Sequence, residues 1–341
     1  MYSNEKKINR LFLYWLIIST ILVFLIIIIG GLTRLTNSGL SITEWELFKG
    51  ILPPLNDKSW DIYFEEYKKI PQYQLLNFNM TLNEFKIIFY WEYIHRILAR
   101  FIGLFFLIPL IFFYFSKKIK QEYMKPCYII FTLILLQGVI GWYMVKSGLV
   151  NDVTVSHYRL SIHLSTAIII ISTMFWLLKN IVQKKNINFF EIRAHYLPFQ
   201  FLVALIFLQI IFGAFVSGLD AGKIYQSWPM MNESFFPNDL VLNDRFIFFD
   251  FNNHSLVQFY HRNLAYLIIL YTLLLTAFIY KKKLLNLYKP LRILILILIF
   301  QIFLGISTLV SGLNIYLASL HQITSVLLVF SALNLHYFRA K

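Results

Sequence analysis

The 341-residue chain holds a single cysteine, Cys127. One thiol cannot close a disulfide or build a zinc or iron–sulfur centre. At the start of a hydrophobic segment it reads as a packing residue. Acidic residues are scarce as well, 17 against 31 Lys and Arg, which leaves a net charge of +14. That excess is not a nucleic-acid footprint, because no basic segment is interleaved with base-stacking aromatics in a soluble stretch. No small-residue cleavage site follows the first apolar segment. That segment also exceeds a signal-peptide core, so it is expected to stay as a helix. Polar sequence is what the chain lacks most. Charged residues make up 14% and hydrophobic ones 58%, and the mean hydropathy is +0.64.

Hydrophobic runs stand in place of polar sequence. A membrane-crossing helix needs about 20 mostly apolar residues. Eight segments meet that requirement, at roughly 11–33, 89–115, 127–146, 158–179, 197–217, 257–280, 291–312 and 317–338. The charge between them sets orientation. The N-terminus, the second, fourth and sixth loops and the C-terminus hold 18 of the 31 basic residues but only Glu5, Glu122 and Glu191 among the acids. The opposite loops hold 13 of the 17 acids. Both termini are therefore expected on the cytoplasmic side, with the basic surface touching anionic lipid.

The chain repeats itself. Ser-Gly-Leu stands at the outer end of every odd segment, at 38–40, 147–149, 217–219 and 311–313. Its glycine suits a left-handed helix end. His95-Arg96-Ile97-Leu98-Ala99 matches His261-Arg262-Asn263-Leu264-Ala265, and Gln137 and Gly141 match Gln301 and Gly305. Residues 1–180 and 190–341 thus read as two halves of the same orientation. The expected fold is an all-α integral membrane protein with eight transmembrane helices in two pseudo-symmetric four-helix bundles. Two outer loops are long, at 34–88 and 218–256. Within the first, residues 61–69 are expected as an amphipathic helix on the membrane surface.

Four histidines occupy matched places in the even segments: His95, His163, His261 and His321. Each is followed four residues later, on the same helix face, by a small residue: Ala99, Ala167, Ala265 or Ser325. Ionisable groups inside a bilayer are costly and usually functional. Two pairs at one depth point to two bis-histidine sites for a flat ligand such as haem, lying toward the outer face. Non-haem iron fits less well, since it prefers a carboxylate beside two histidines. The halves differ at one position. Glu92 precedes His95 by three residues, where Gln258 precedes His261. Glu92 either acts as an acid or base at the first site or pairs with Arg96. Arg96, Arg262 and Arg159 either clamp haem propionates or snorkel to the headgroups. His157 could touch a propionate, while His195, His254 and His336 lie outside the pattern.

These residues carry a resemblance. The sequence is similar to the haem A synthase family, in its mitochondrial and alphaproteobacterial branch. The matching stretches are Gly30-Gly31-Leu32-Thr33-Arg34-Leu35-Thr36 with Ser38-Gly39-Leu40, Thr43-Glu44-Trp45, and Gly50-Ile51-Leu52-Pro53-Pro54-Leu55. They continue through Glu92-Tyr93-Ile94-His95-Arg96, Tyr158-Arg159-Leu160 with His163-Leu164, Trp228-Pro229-Met230-Met231, His261-Arg262 and His321-Gln322. The resemblance implies oxidation of the ring-D methyl group of haem O to a formyl group, giving haem A for cytochrome oxidase. Two successive hydroxylations would give a gem-diol that loses water.

It also implies haem b as cofactor on His261 and His321, with Arg262 nearby, and a catalytic substrate site of Glu92, His95 and His163. The implied setting is the bacterial inner membrane. The farnesyltransferase that supplies haem O is a candidate partner. A cysteine pair found in another branch is missing here, which excludes thiol-based electron entry and leaves the electron donor open. A homo-oligomer is left open too. The main alternative is a membrane dihaem b-type cytochrome that only transfers electrons. It accounts for the histidines but not for the Glu92/Gln258 difference. A haem carrier would need both sites to exchange haem. A transporter with structural histidines would be expected to show broken helices in both halves.

Overall fold

The computed structural model describes residues 2–44, 49–149, 153–241 and 248–341. Trp45 of the Thr43-Glu44-Trp45 motif lies outside the described residues. Helices dominate, and the described residues hold no strand beyond an isolated bridge between Met231 and Ser234. Eight helices are long and apolar enough to cross a membrane, which makes the chain an integral membrane protein. They are α1 (Tyr2–Leu35), α4 (Leu82–Ser116), α5 (Gln121–Gly148), α6 (His157–Gln183), α7 (Leu197–Gly218), α9 (His254–Lys281), α10 (Tyr288–Val310) and α11 (Ile315–Ala340). Three short helices, α2 (Asp57–Lys68), α3 (Pro71–Leu75) and α8 (Asn238–Val241), lie in the two long loops. The chain separates into two compact units, residues 1–181 and 182–341.

Three of the four histidine-bearing helices start at side-chain caps. Thr81 and Glu84 form a reciprocal capping box at the head of α4. Asn253 and Asn314 accept backbone N–H groups at the heads of α9 and α11. Such caps satisfy donors that the first helical turn leaves unpaired. In the spans themselves, the chain satisfies its backbone within each helix and turns large apolar side chains outward. Ile108 is 65% exposed and Leu296 68%. Outward apolar side chains of that size are what hydrocarbon accepts and water does not.

The amphipathic helix of the first long loop is present, but its apolar face meets protein. Trp60, Phe64 and Tyr67 of α2 pack with Leu40, Ile70, Phe85 and Phe89 in one buried cluster. Trp60 meets Phe89 edge-on at 5.0 Å. The reason is the length of α4, which starts at Leu82, well before the apolar run near residue 89. Its first two turns stand out as a post against which α2 folds. A polar lock closes this cap. The Tyr67 hydroxyl donates to Gln72 Oε1 at 2.9 Å and accepts from Asn77 Nδ2 at 2.7 Å. Gln72 Nε2 then donates to the Asn37 carbonyl at 3.2 Å. Burial pushes the Tyr67 phenol up to about 12, so it stays a neutral donor across the physiological range.

The Ser-Gly-Leu glycines serve two different purposes. Only Gly312 turns left-handed, at φ +71°, with Leu313 following at +65°. Elsewhere Asn37 and Asp220 supply the left-handed residue. Gly148 is needed for close approach. A Cβ there would stand 2.7 Å from Cδ1 of Leu40, the leucine of the first tripeptide. Cys127 is buried and its thiol donates to the Tyr123 carbonyl, the packing role its isolation suggested. Trp60→Ala should cost about 3 kcal/mol at this cap. The expected readout is faster proteolysis between residues 49 and 80 of the detergent-solubilised protein. Unchanged cutting would mean that α2 does not depend on α4.

Candidate functional site: two histidine pairs

Each unit brings two of its histidines together, and a glycine on the preceding span makes room for each ring. In the first unit, a Cβ at Gly30 of α1 would stand 2.9 Å from Cε1 of His95 on α4. One at Gly141 of α5 would stand 3.2 Å from Cε1 of His163 on α6. In the second unit, Gly213 of α7 faces His261 of α9 at 3.3 Å, and Gly305 of α10 faces His321 of α11 at 2.9 Å. Any larger residue at these four places meets imidazole.

The His95 and His163 ring centres lie 6.5 Å apart with planes inclined at 66°. Metal–imidazole bonds of about 2.0–2.1 Å would put the centres of two trans rings about 6 Å apart. His261 and His321 are near enough to interact electrostatically. Nδ1 of His95, His163 and His321 is sealed from solvent without a hydrogen-bond partner. These residues as a whole are only half-buried, so it is the Nε2 edge that borders open space. No group of three or more His, Cys, Asp or Glu that could hold a bare metal ion occurs among the described residues. At His261 both ring nitrogens also lie within 3.3 Å of the Gln209 amide. Paired imidazoles on a glycine floor, three of them with an open nitrogen, suit a metal already held in a flat macrocycle. The donor set therefore fits haem.

Glutamines tie the helices together at ligand level. Gln137 Nε2 donates to the His163 carbonyl at 2.9 Å, Gln209 to that of His261 at 3.0 Å, and Gln301 to that of His321 at 3.0 Å. Gln301 is itself oriented by the Thr324 hydroxyl, which donates to its Oε1. The repeat makes Gln137/Gly141 and Gln301/Gly305 conspicuous. Gln209 and Gly213 have the same four-residue spacing, but the long 218–256 loop sets them much farther from their histidine in sequence. Gly30, the fourth floor residue, has Ile26 where the other three have glutamine.

The polar residues beside the first pair hold the outer segment. The Glu92 carboxylate is 3% exposed and fully engaged. Its Oε2 accepts from Ser41 Oγ at 2.7 Å and from the Ile42 N–H at 2.9 Å. Its Oε1 accepts from Arg96 Nη2 at 2.6 Å and Nε at 3.0 Å. Arg96 reaches on to the carbonyls of Ile42 and Glu44. The second unit repeats the device without the charge. Gln258 Nε2 donates to the Tyr225 carbonyl at 2.8 Å, and Arg262 donates to the carbonyls of Tyr225, Ser227 and Met230. Arg159, one turn before His163, lies over the Tyr143 ring with its guanidinium carbon 3.8 Å from the ring centre, and its Nη1 donates to the Tyr143 carbonyl at 2.7 Å. His157 opens α6 beside Tyr158, and His336 is buried against Phe189 and Tyr196.

Fold and site together define an eight-span membrane protein with one pair of facing histidines in each of two units. Residues 13–333 match the family described as cytochrome oxidase assembly protein. A heme A synthase of Pelagibacter ubique is 51% identical over 331 residues, covering 97% of both chains. One of Rickettsia canadensis is 42% identical over 92% of this chain and 94% of its own. One of Flavobacterium psychrophilum is 39% identical over 97% of this chain and 99% of its own. The chain belongs to this cytochrome oxidase assembly family and is akin to its haem A synthases, as the motifs indicated.

Gly305→Val would place a branched side chain against His321, where a Cβ already stands at 2.9 Å. The variant should lose bound haem, measured as pyridine haemochrome per chain. Gly103→Val, with nothing within 4 Å of its Cβ, should keep it. Equal haem content in the two variants would show that the glycine floor does not matter.

Proposed function

We propose that the protein is a haem A synthase, an oxidoreductase that converts the ring-D methyl group of haem O to a formyl group. The carrying observation is the pairing of two alike histidine sites with unlike neighbours: a buried carboxylate, Glu92, beside the first and a neutral amide, Gln258, beside the second. A pure electron carrier has no use for that difference. The kinship with haem A synthases over nearly the full chain supports the same reading.

In this reading His95 and His163 take the iron of the substrate haem O, and His261 and His321 hold haem b. Bound there, haem b supplies one-electron redox chemistry. The chain's own residues do the rest. Gly30 and Gly141 let the first two rings sit back against their neighbours, which leaves the width between them for a macrocycle. Glu92 holds the Ser41–Ile42 segment against α4 and is a buried carboxylate three residues from His95, able to take or return a proton as the methyl carbon is oxidised. Arg159, oriented by Tyr143, is assigned to a substrate propionate. Arg262 is assigned to the haem b side, where it also keeps the 225–230 segment closed.

The charge distribution supports an inner-membrane orientation with both termini cytoplasmic and the histidine pairs toward the outer face. The farnesyltransferase that makes haem O and an electron donor are the partners this reaction requires. A homo-oligomer is compatible with it.

Two measurements test the assignment. His261→Ala or His321→Ala should abolish the resident haem b spectrum, and full retention in either would sink the cofactor assignment. Glu92→Gln should keep haem b but lower haem A output by about a hundredfold, the scale of one lost acid–base group. Undiminished output would reduce Glu92 to its bonds with Ser41, Ile42 and Arg96.

A further inference from the structure

Three of the four ligand histidines have their backbone carbonyl gripped by a glutamine of the preceding span: His163 by Gln137, His261 by Gln209 and His321 by Gln301. His95 does not. The position that would carry its glutamine, four residues before the floor glycine Gly30, is Ile26. Among the described residues, the nearest bond between α1 and α4 is one turn further out. There Thr33 Oγ1 reaches the Trp91 carbonyl at 3.4 Å while also donating within its own helix at 2.9 Å. The backing of His95 is also made of two consecutive glycines, Gly30 and Gly31, which leave a helix less rigid than other residues do.

We infer that His95 is the axial ligand that yields at the substrate site, while His163 is the fixed anchor. This rests on the reading of His95 and His163 as the haem O pair. The bond between iron and His95 nitrogen breaks with its electron pair returning to the imidazole. Nothing is oxidised or reduced in that step, and one coordination place opens on the face toward α1. The second unit, with both of its histidines clamped, keeps its pair closed. One scaffold thus holds an exchangeable position in one unit and none in the other. The difference lies on α1, in the missing glutamine at position 26 and the paired glycines Gly30 and Gly31.

The test uses the full-length protein in detergent, loaded with haem O, reduced with dithionite and exposed to carbon monoxide, which binds ferrous haem only at an open axial place. The wild type should bind carbon monoxide at the substrate haem and not at haem b. Ile26→Gln, which supplies the missing donor, should cut the carbon monoxide-binding fraction by about fivefold, the effect of one added hydrogen bond, with haem b content unchanged as the sign of a folded chain. In a second measurement, His95→Ala should still retain haem O, now wholly reactive to carbon monoxide, whereas His163→Ala should lose it. An unaltered fraction in folded Ile26→Gln, or haem O retained by His163→Ala and lost by His95→Ala, overturns the inference. A wild type that takes up no haem O beside haem b overturns the functional reading, and this inference with it.

Discussion

The close approach of four glycines to four imidazole rings is the contact on which the rest of the structure depends. Glycine inside a helix costs about 1 kcal/mol relative to alanine, and Gly30, Gly141, Gly213 and Gly305 all sit well inside their spans. What offsets that cost is the position of the rings, with a virtual Cβ only 2.9–3.3 Å away. A ring pressed against its neighbouring backbone cannot swing outward. Its remaining freedom is toward the opposite histidine, where the proposed haem would be held.

Polar groups near the membrane then have to be satisfied locally, because a bare charge or amide in low dielectric is costly. The two units meet that requirement with one device. A residue three places before the histidine and an arginine one place after it both turn to the extramembrane segment that follows the preceding span. In the first unit Glu92 and Arg96 hold Ser41, Ile42 and Glu44. In the second Gln258 and Arg262 hold Tyr225, Ser227 and Met230. The arginines thus pin the segments that follow α1 and α7 and do not simply snorkel to the headgroups. Breaking such a buried pair on one side leaves the other partner uncompensated, at a cost of about 3–5 kcal/mol. The segments are therefore fixed parts of each unit.

The spans were legible because hydrocarbon imposes a length and a composition that few other constraints mimic. The four histidines were legible because ionisable residues inside such spans stand out. The destination of the amphipathic α2 was not. Its apolar stripe of Trp60, Phe64 and Tyr67 fits a membrane surface and a protein groove equally, and the deciding factor is the outward extension of α4 from Leu82 to Phe89, which is too mixed in character to read as helix from hydropathy. The tripeptide glycines misled for a related reason. Gly148 and Gly312 look alike in sequence, yet one admits the Leu40 side chain and the other turns the chain left-handed. Gln209 and Gly213 were obscured by loop length, since a repeat read by constant offset fails when the corresponding loops, 34–88 and 218–256, differ in length.

The differences between the units gather around one histidine pair. Glu92 replaces an amide with a carboxylate, Arg159 stands where the second unit has Leu317, and Ile26 leaves His95 without the glutamine its three counterparts have. None of these alters the glycine floors or the span lengths, so the shared architecture survives them. If the first pair is the substrate site proposed above, all three bear on what such a site needs and an electron-transfer site does not: a proton-active group, a hold on an entering anionic substrate, and a histidine able to let go. Each unit sets its two histidines against glycines in the same way. In the proposed reading, departures at three side chains suit one unit to turnover while the other keeps the rigidity that a resident cofactor asks for.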